Sequence, residues 1–179
     1  MREQMRYKIS NKRAFTLAET LLAVLILLLV STIVATGIPA AKNAYEKVVL
    51  ASNTQVLLST TISSLRNELG SAKDITVVDG TEITYFNETR GTMSKIYLDS
   101  GNPKTIMLQR YMNSSGLGKD SGSTRLVSET ASTADLYVDY VRIDPLKDGI
   151  ITIKGLSVKR ESGGTLTEPR DLSIRVISG

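Results

Sequence analysis

One carboxylate, Glu19, lies at the start of a long apolar segment of the sequence. From Leu21 to Ala41 the chain has 21 consecutive residues without a charge, dominated by Leu, Val, Ile and Ala. A helix rises about 1.5 Å per residue, so a segment of this length can cross a hydrocarbon core of about 30 Å. An ionised carboxylate inside lipid costs on the order of 3 kcal/mol or more. We therefore expect Glu19 to have a partner that neutralises its charge.

The chain has few of the groups on which common catalytic sites depend. It contains no Cys and no His, which excludes disulfides, zinc sites built from Cys or His, Ser-His-Asp triads and Cys-His pairs. The Gly/Ser-rich stretch 113–124 fails the P-loop motif because Lys119 is followed by Asp120 and Asn113 stands where the first Gly belongs. Its glycines also lack the GxGxxG spacing, so we predict a surface loop there.

Acidic residues in the last third of the chain have two possible uses. Asp135, Asp139 and Asp144 are close in sequence and could supply paired carboxylates for acid/base catalysis. Asp144 and Asp148 flank a DPLKDG segment that could bind Ca²⁺. Charges on the wet side of a strand and ordinary turn chemistry account for the same residues. We predict a mechanical rather than a catalytic protein, with no metal or cofactor site.

The positive charge of the chain is concentrated before the apolar segment. The chain has 22 basic and 18 acidic residues, and five of the basic ones but a single acidic one precede Phe15. That difference accounts for the whole net charge of +4, so nothing indicates a nucleic-acid-binding face. The positive-inside rule keeps residues 1–13 in the cytoplasm and sends the rest of the chain outward.

Three kinds of N-terminal segment have this organisation. A cleaved secretory signal has an apolar run of about 7 to 15 residues before an A-x-A-like site. The run here is longer, and its helical pattern continues past Ala35, Ala40 and Ala41. A permanent anchor explains the span but gives Glu19 no partner. A leader cut on its cytoplasmic side creates a positively charged α-amine close to Glu19.

The stretch KRAFTLAE, residues 12–19, resembles the processing site of type IV prepilins and pseudopilins. The resemblance implies cleavage between Ala14 and Phe15 and N-methylation of Phe15, which keeps the positive charge of the new amine. The family usually has Gly at the position of Ala14. Pairing of the amine with Glu19, within one subunit or between neighbours, would then favour one axial stagger of adjacent helices. Glu19 is thus expected to set the register of assembly.

The resemblance also implies a function and its partners. We expect a minor pilin, a structural subunit of a type IV pilus or pilus-like filament, whose partners are other subunits, a prepilin peptidase, an assembly platform protein and an ATPase. It would lie in the cytoplasmic membrane before assembly and in an extracellular filament afterwards. One alternative is a pseudopilin of a type II secretion or competence DNA-uptake system. Another is an unprocessed, membrane-anchored extracellular domain with a binding or enzymatic role.

Gly37 and Pro39 lie near the end of the apolar segment. Pro39 has no N–H to donate to the carbonyl of Ala35, and Gly37 loosens the same turn, so we expect a kink or a locally melted segment. In pilins of this class the corresponding stretch can unwind in the filament. The alternative is that Pro39 marks only the exit from the membrane.

The remaining pattern predicts an α+β fold, in which a long N-terminal helix packs on a C-terminal antiparallel β-sheet. The helix is expected from Phe15 to Leu69, with an apolar stripe at heptad spacing: Ala44, Val48, Ala51, Gln55, Leu58, Ile62, Leu65 and Leu69. We divide the chain into a leader (1–14), a membrane-spanning or filament-core helix (15–41), an amphipathic helix (42–70) and the β-sheet domain (71–179).

Alternating apolar residues and turn signals predict seven strands after the helix. An Asp79-Gly80 pair indicates a hairpin turn, and the segment from Pro145 to Gly149 indicates another turn. Tyr137 and Tyr140 lie on opposite faces of their strand, so at least one of them should be in the core. The predicted strands are 75–78, 82–87, 95–99, 105–112, 136–143, 150–159 and 171–177.

Overall fold

The computed structural model describes residues 16–99, 101, 105–111, 120–127 and 135–176. Among these described residues, helix α1 extends from Leu17 to Gly70 and nine strands follow it. The chain divides into two units, residues 1–48 and 49–179. In the second unit the end of α1 shares one hydrophobic core with antiparallel strands, which confirms the predicted α+β fold.

Helix α1 is continuous through Gly37 and Pro39. The described helix therefore has no locally melted segment at these residues. Pro39 removes a single N–H donor, and the turns on either side keep the backbone helical. The expected kink stays a prediction.

The strands form two antiparallel sheets. The first is a meander in the order β1-β2-β3-β4-β5, and in the second β8 pairs with β6, β7 and β9. The strand bounds are β1 Ala72–Val78, β2 Glu82–Asn87, β3 Thr92–Asp99, β4 Thr105–Tyr111, β5 Asp120–Arg125, β6 Leu136–Asp139, β7 Arg142–Lys147, β8 Ile150–Arg160 and β9 Arg170–Arg175.

Strand β5 contradicts the prediction of a surface loop over residues 113–124. Residues 120–125 pair with β4, with Gln109 opposite Ser123 and Met107 opposite Arg125. Gly and Ser have low strand propensity, but a neighbouring strand overrides propensity when it supplies backbone hydrogen-bond partners. Residues 113–119 lie outside the described part of the chain.

The predicted strand 136–143 is divided into β6 and β7 because of a glycine in the partner strand. Gly155 in β8 has a φ of +68°, and a Cβ atom at this position would lie 2.5 Å from Cγ2 of Val141. The backbone of β8 therefore bulges where β6 ends and β7 begins, and only Gly fits this close approach.

The turn predicted over Pro145 to Gly149 is shorter than expected. Pro145 lies within β7, where the pairing register shifts between Asp144 and Lys147. An irregularity of this kind accommodates a residue without an N–H donor. The turn itself is formed by Asp148 and Gly149, whose φ values are both positive, as a type I′ hairpin requires.

The predicted heptad stripe of α1 is buried only from Leu58 onward. Ala44, Val48, Ala51 and Gln55 are exposed. The first buried residues of α1 are instead Thr54, Leu57 and Leu58, so the buried face does not follow the predicted heptad positions there. The stripe prediction is therefore wrong for this first half.

Two threonines of α1 that lie outside the predicted stripe are buried. Thr54 and Thr61 are 5% and 1% exposed. Their hydroxyls donate to the carbonyl oxygens of Leu50 and Leu57 at 2.7 and 2.8 Å. A hydroxyl satisfied by its own helix is buried at little cost, which the sequence pattern alone does not reveal.

The two sheets meet at the β1–β2 turn. The Ile143 N–H donates to the carbonyl of Gly80 at 2.7 Å. The hydroxyl of Tyr140 donates to the carbonyl of Thr81 at 2.5 Å, and the residue is buried. The prediction that Tyr137 or Tyr140 lies in the core is confirmed, and the Asp79-Gly80 hairpin signal is confirmed by the pairing of β1 with β2.

Substitution of Gly155 by alanine tests the close approach to Val141. We expect Gly155→Ala to lower the free energy of unfolding by about 2 kcal/mol or more, since a left-handed backbone and a steric overlap both oppose it. Gly163→Ala is the matched control, because its φ is +97° but a Cβ atom there meets nothing within 4 Å. Urea unfolding of the full chain in detergent, followed by circular dichroism, measures both. Equal losses in the two variants would contradict the packing argument.

Candidate functional site

The N-terminal half of α1 presents an uncovered apolar surface. By length and composition this part of the helix can cross a membrane, and none of its most apolar 18-residue window is buried within the chain. Leu25 and Ile33, for example, are 53% and 69% exposed. Side chains of this kind are stable only when lipid or other apolar side chains surround them.

The hydroxyl groups within this surface are all satisfied by the helix itself. Ser31 donates to the carbonyl of Leu27 at 2.7 Å, and Thr32 donates to that of Leu29 at 2.7 Å. Thr20 and Thr36 make equivalent bonds to carbonyls one turn earlier. Internal satisfaction of polar groups is what a helix requires in a medium without water.

Glu19 forms a capping box with Thr16. The N–H and the hydroxyl of Thr16 donate to Oε2 of Glu19 at 3.0 and 3.2 Å, and the N–H of Glu19 donates to the hydroxyl oxygen of Thr16 at 3.3 Å. Sequence reasoning missed Thr16, although the T-x-x-E spacing is a recognised signal of a helix start. Within the described residues the contacts of this carboxylate are therefore neutral, and both residues are exposed.

The other residues predicted for processing and assembly are placed as follows. Ala14 and Phe15 lie outside the described residues. Gly37 and Pro39 lie inside α1. A Cβ atom at Gly37 would meet nothing within 4 Å, so packing inside the chain does not require glycine there.

Two of the three acidic residues considered for catalysis, Asp139 and Asp144, are engaged in ion pairs. Asp139, whose side chain is 11% exposed, accepts from Nζ of Lys159 at 2.7 Å. This hydrogen bond raises the pKa of Lys159. Asp144 is held by Arg142 at 3.1 Å and by Lys154 at 3.0 Å. Each of these carboxylates thus has a cationic partner of its own, which accounts for it structurally.

The Ca²⁺ hypothesis finds no support in this geometry. Asp144 and Asp148 both border an open depression at the β7–β8 turn, but two cations already occupy the oxygens of Asp144. In the described part of the chain, no three His, Cys, Asp or Glu residues are grouped so that they could hold a metal ion.

A polar cluster at the end of α1 was not expected from the sequence. The side chain of Glu68 is 12% exposed, and its Oε1 accepts from Nη2 of Arg110 at 2.8 Å. Its Oε2 accepts from the hydroxyl of Tyr85 and from Nδ2 of Asn87, each at 3.1 Å. Burial raises the pKa of Tyr85, and the charge of Glu68 raises it further. The sequence signal for this cluster was an acidic residue in the last turn of the helix, because the helix dipole disfavours a negative charge there.

Two tyrosines are expected to resist ionisation while the chain is folded. Burial, first of all, raises the pKa values of both Tyr85 and Tyr140. Above the usual tyrosine value of about 10, the unfolded chain loses protons that the folded chain keeps, so the free energy of unfolding falls as pH rises. At about pH 11.5, tyrosinate absorbance should show two fewer ionised groups before urea unfolding than after it.

Tyr85→Phe should reduce that difference to one group. Tyr97→Phe is the matched control, because the Tyr97 hydroxyl makes an exposed bond to Ser123. Full ionisation of the folded wild-type chain would contradict the assignment of Tyr85 as a permanent donor to Glu68.

Comparison with known proteins adds no relative from which a role could be transferred. No family model matches the chain, and no curated protein or solved structure matches it. The functional interpretation therefore rests on the sequence around Glu19 and on the geometry of α1.

Proposed function

We propose that the chain is a structural subunit, a minor pilin, of a type IV pilus or pilus-like filament, cut after Ala14 and assembled through α1. One observation carries the proposal: residues 21–41 form a charge-free helical surface that none of the described residues covers, and Glu19 lies two residues before it. A soluble domain has no use for such a surface, whereas a filament core built from helices does.

The physical basis of assembly is exchange of one apolar environment for another. Removing α1 from lipid into water would expose the whole surface, at roughly 25 cal/mol per Å² of apolar area. Packing against the helices of other subunits avoids that exposure. A platform protein and an ATPase are the machinery partners that would drive this exchange.

Glu19 is suited to determine the axial stagger between the helices of neighbouring subunits. Among the described contacts its Oε2 accepts both bonds from Thr16, while Oε1 accepts none. Cleavage before Phe15 would place a positively charged amine one residue from Thr16. The same carboxylate can then keep its cap and pair with an amine, from its own or a neighbouring subunit.

A second candidate function is an unprocessed anchor for an extracellular domain. The capping box favours it, because it gives Glu19 a role that needs neither cleavage nor a second subunit. A pseudopilin is the short-filament form of the first proposal, and the yield of the protein in sheared surface fractions separates the two forms.

The N-terminus of the membrane-extracted protein distinguishes a filament subunit from an anchor. In cells that produce a prepilin peptidase, we expect an intact mass that begins at Phe15 and carries one added methyl group. The same gene expressed without the peptidase is the control. A chain that still begins at Met1 in both strains would establish the anchor.

Two variants separate the charge of Glu19 from its capping role. Glu19→Gln keeps an acceptor for Thr16 but removes the charge, and we expect its incorporation into filaments to fall by about tenfold or more. Thr16→Ala removes the hydroxyl of the cap but leaves the charge, and we expect less than about a twofold change. Sheared fractions are quantified after intact mass has shown the same N-terminus for each variant. The reverse order of effects would assign Glu19 to capping alone.

A further inference from the structure

Glu68 is placed where helix electrostatics oppose it. Helix α1 ends at Gly70, and Glu68 lies in its last turn. That turn contains no basic residue. The partial negative charge at a helix C-terminus disfavours a carboxylate there, and burial to 12% exposure adds a desolvation cost. Groups outside the helix must therefore compensate this carboxylate.

The compensating groups come from three separate places on the first sheet. Tyr85 and Asn87 lie on β2, and Arg110 lies on β4. Arg90, in the turn between β2 and β3, approaches Oε1 to 3.9 Å. One side chain thus ties the end of the helix to two strands and one turn.

The groups that donate to Glu68 also make contacts that do not involve Glu68. The Oδ1 atom of Asn87 accepts from the N–H of Arg90 at 3.1 Å, which turns its Nδ2 toward the helix. The raised pKa of Tyr85 keeps its hydroxyl protonated at any physiological pH. Tyr85 and Arg110 both lie opposite Ser94 on β3, so they form one row across the sheet.

Apolar contacts alone do not fix the position of the helix so narrowly. Leu65 and Leu69, which flank Glu68 on the buried face, are 1% and 0% exposed. Hydrophobic burial is non-directional, whereas hydrogen bonds to a carboxylate demand particular distances and angles. Buried ion pairs add little net stability compared with apolar residues of similar size, and specifying one arrangement is their best-attested use.

We propose that Glu68 is a positioning residue, and that its network with Tyr85, Asn87 and Arg110 fixes the rotation and axial position of the last turns of α1 on the first sheet. The proposal does not depend on where the N-terminal half of α1 resides. Its consequence is local: without the network the helix end moves or opens, while the rest of the β domain stays folded.

Amide hydrogen exchange of the full chain in detergent tests this locality. In Glu68→Gln, which keeps the shape but removes the charge, we expect amides of residues 65–70 to exchange about tenfold faster or more. Amides of β8, in the second sheet, should stay within about twofold of wild type. Glu88→Gln is the matched control, since Glu88 pairs with Lys73 on the same sheet but is 56% exposed. It should change neither region.

A second variant controls for the charge of Arg110, which loses its ion pair when Glu68 is replaced. In the double variant Glu68→Gln/Arg110→Gln both charges are absent, and the same local acceleration at residues 65–70 is expected. Unchanged exchange at 65–70 in both variants would overturn the proposal. A uniform acceleration that includes β8, or failure of both variants to fold, would also overturn it, because the network would then support the whole domain rather than position the helix.

Discussion

Water penalises the apolar side chains of residues 21–41, and no other part of the chain that the structure describes covers them. The second half of α1 solves the same problem internally, since Leu57, Leu58, Leu65 and Leu69 are buried in the hydrophobic core that it shares with the strands. One continuous helix therefore contains a half that is self-sufficient and a half that needs an external apolar medium. Every functional interpretation of the chain follows from the identity of that medium, lipid alone or lipid followed by other subunits.

Two carboxylates of α1 face opposite electrostatic situations. Glu19 lies in the first turn, where the helix dipole and Thr16 both favour a negative charge. Glu68 lies in the last turn, where the dipole disfavours it and side chains of the first sheet compensate. In the favourable position, one oxygen of Glu19 accepts no hydrogen bond from the described residues, whereas in the unfavourable position Glu68 is bound by side chains of the first sheet. The exposed carboxylate is the one that the proposed assembly would use, and the buried one is the one that the proposed alignment of α1 would use.

Features encoded by local sequence were predictable, and features that depend on a neighbouring strand were not. The Asp79-Gly80 turn and strand β2 were visible because turn chemistry and alternation are short-range signals. Three features depend on residues distant in sequence, so no local pattern predicted them: strand β5, the bulge at Gly155 and the partners of Glu68. Thr54 and Thr61 were missed because a polar residue was assumed to face water. At the candidate site, the charge-free surface and Glu19 were found from sequence, while Thr16 required attention to helix capping as well as to hydropathy.

The side chains of Ser31, Thr32 and Thr36 make the N-terminal half of α1 independent of polar partners in its surroundings. Because each hydroxyl proton is already directed at a carbonyl one turn earlier, no polar bond has to be broken or remade when the surroundings change from acyl chains to protein. For residues 21–41 the energetic difference between those two surroundings then depends mainly on shape and dispersion forces. The polar groups of this segment therefore set no barrier to its transfer from one apolar environment to another.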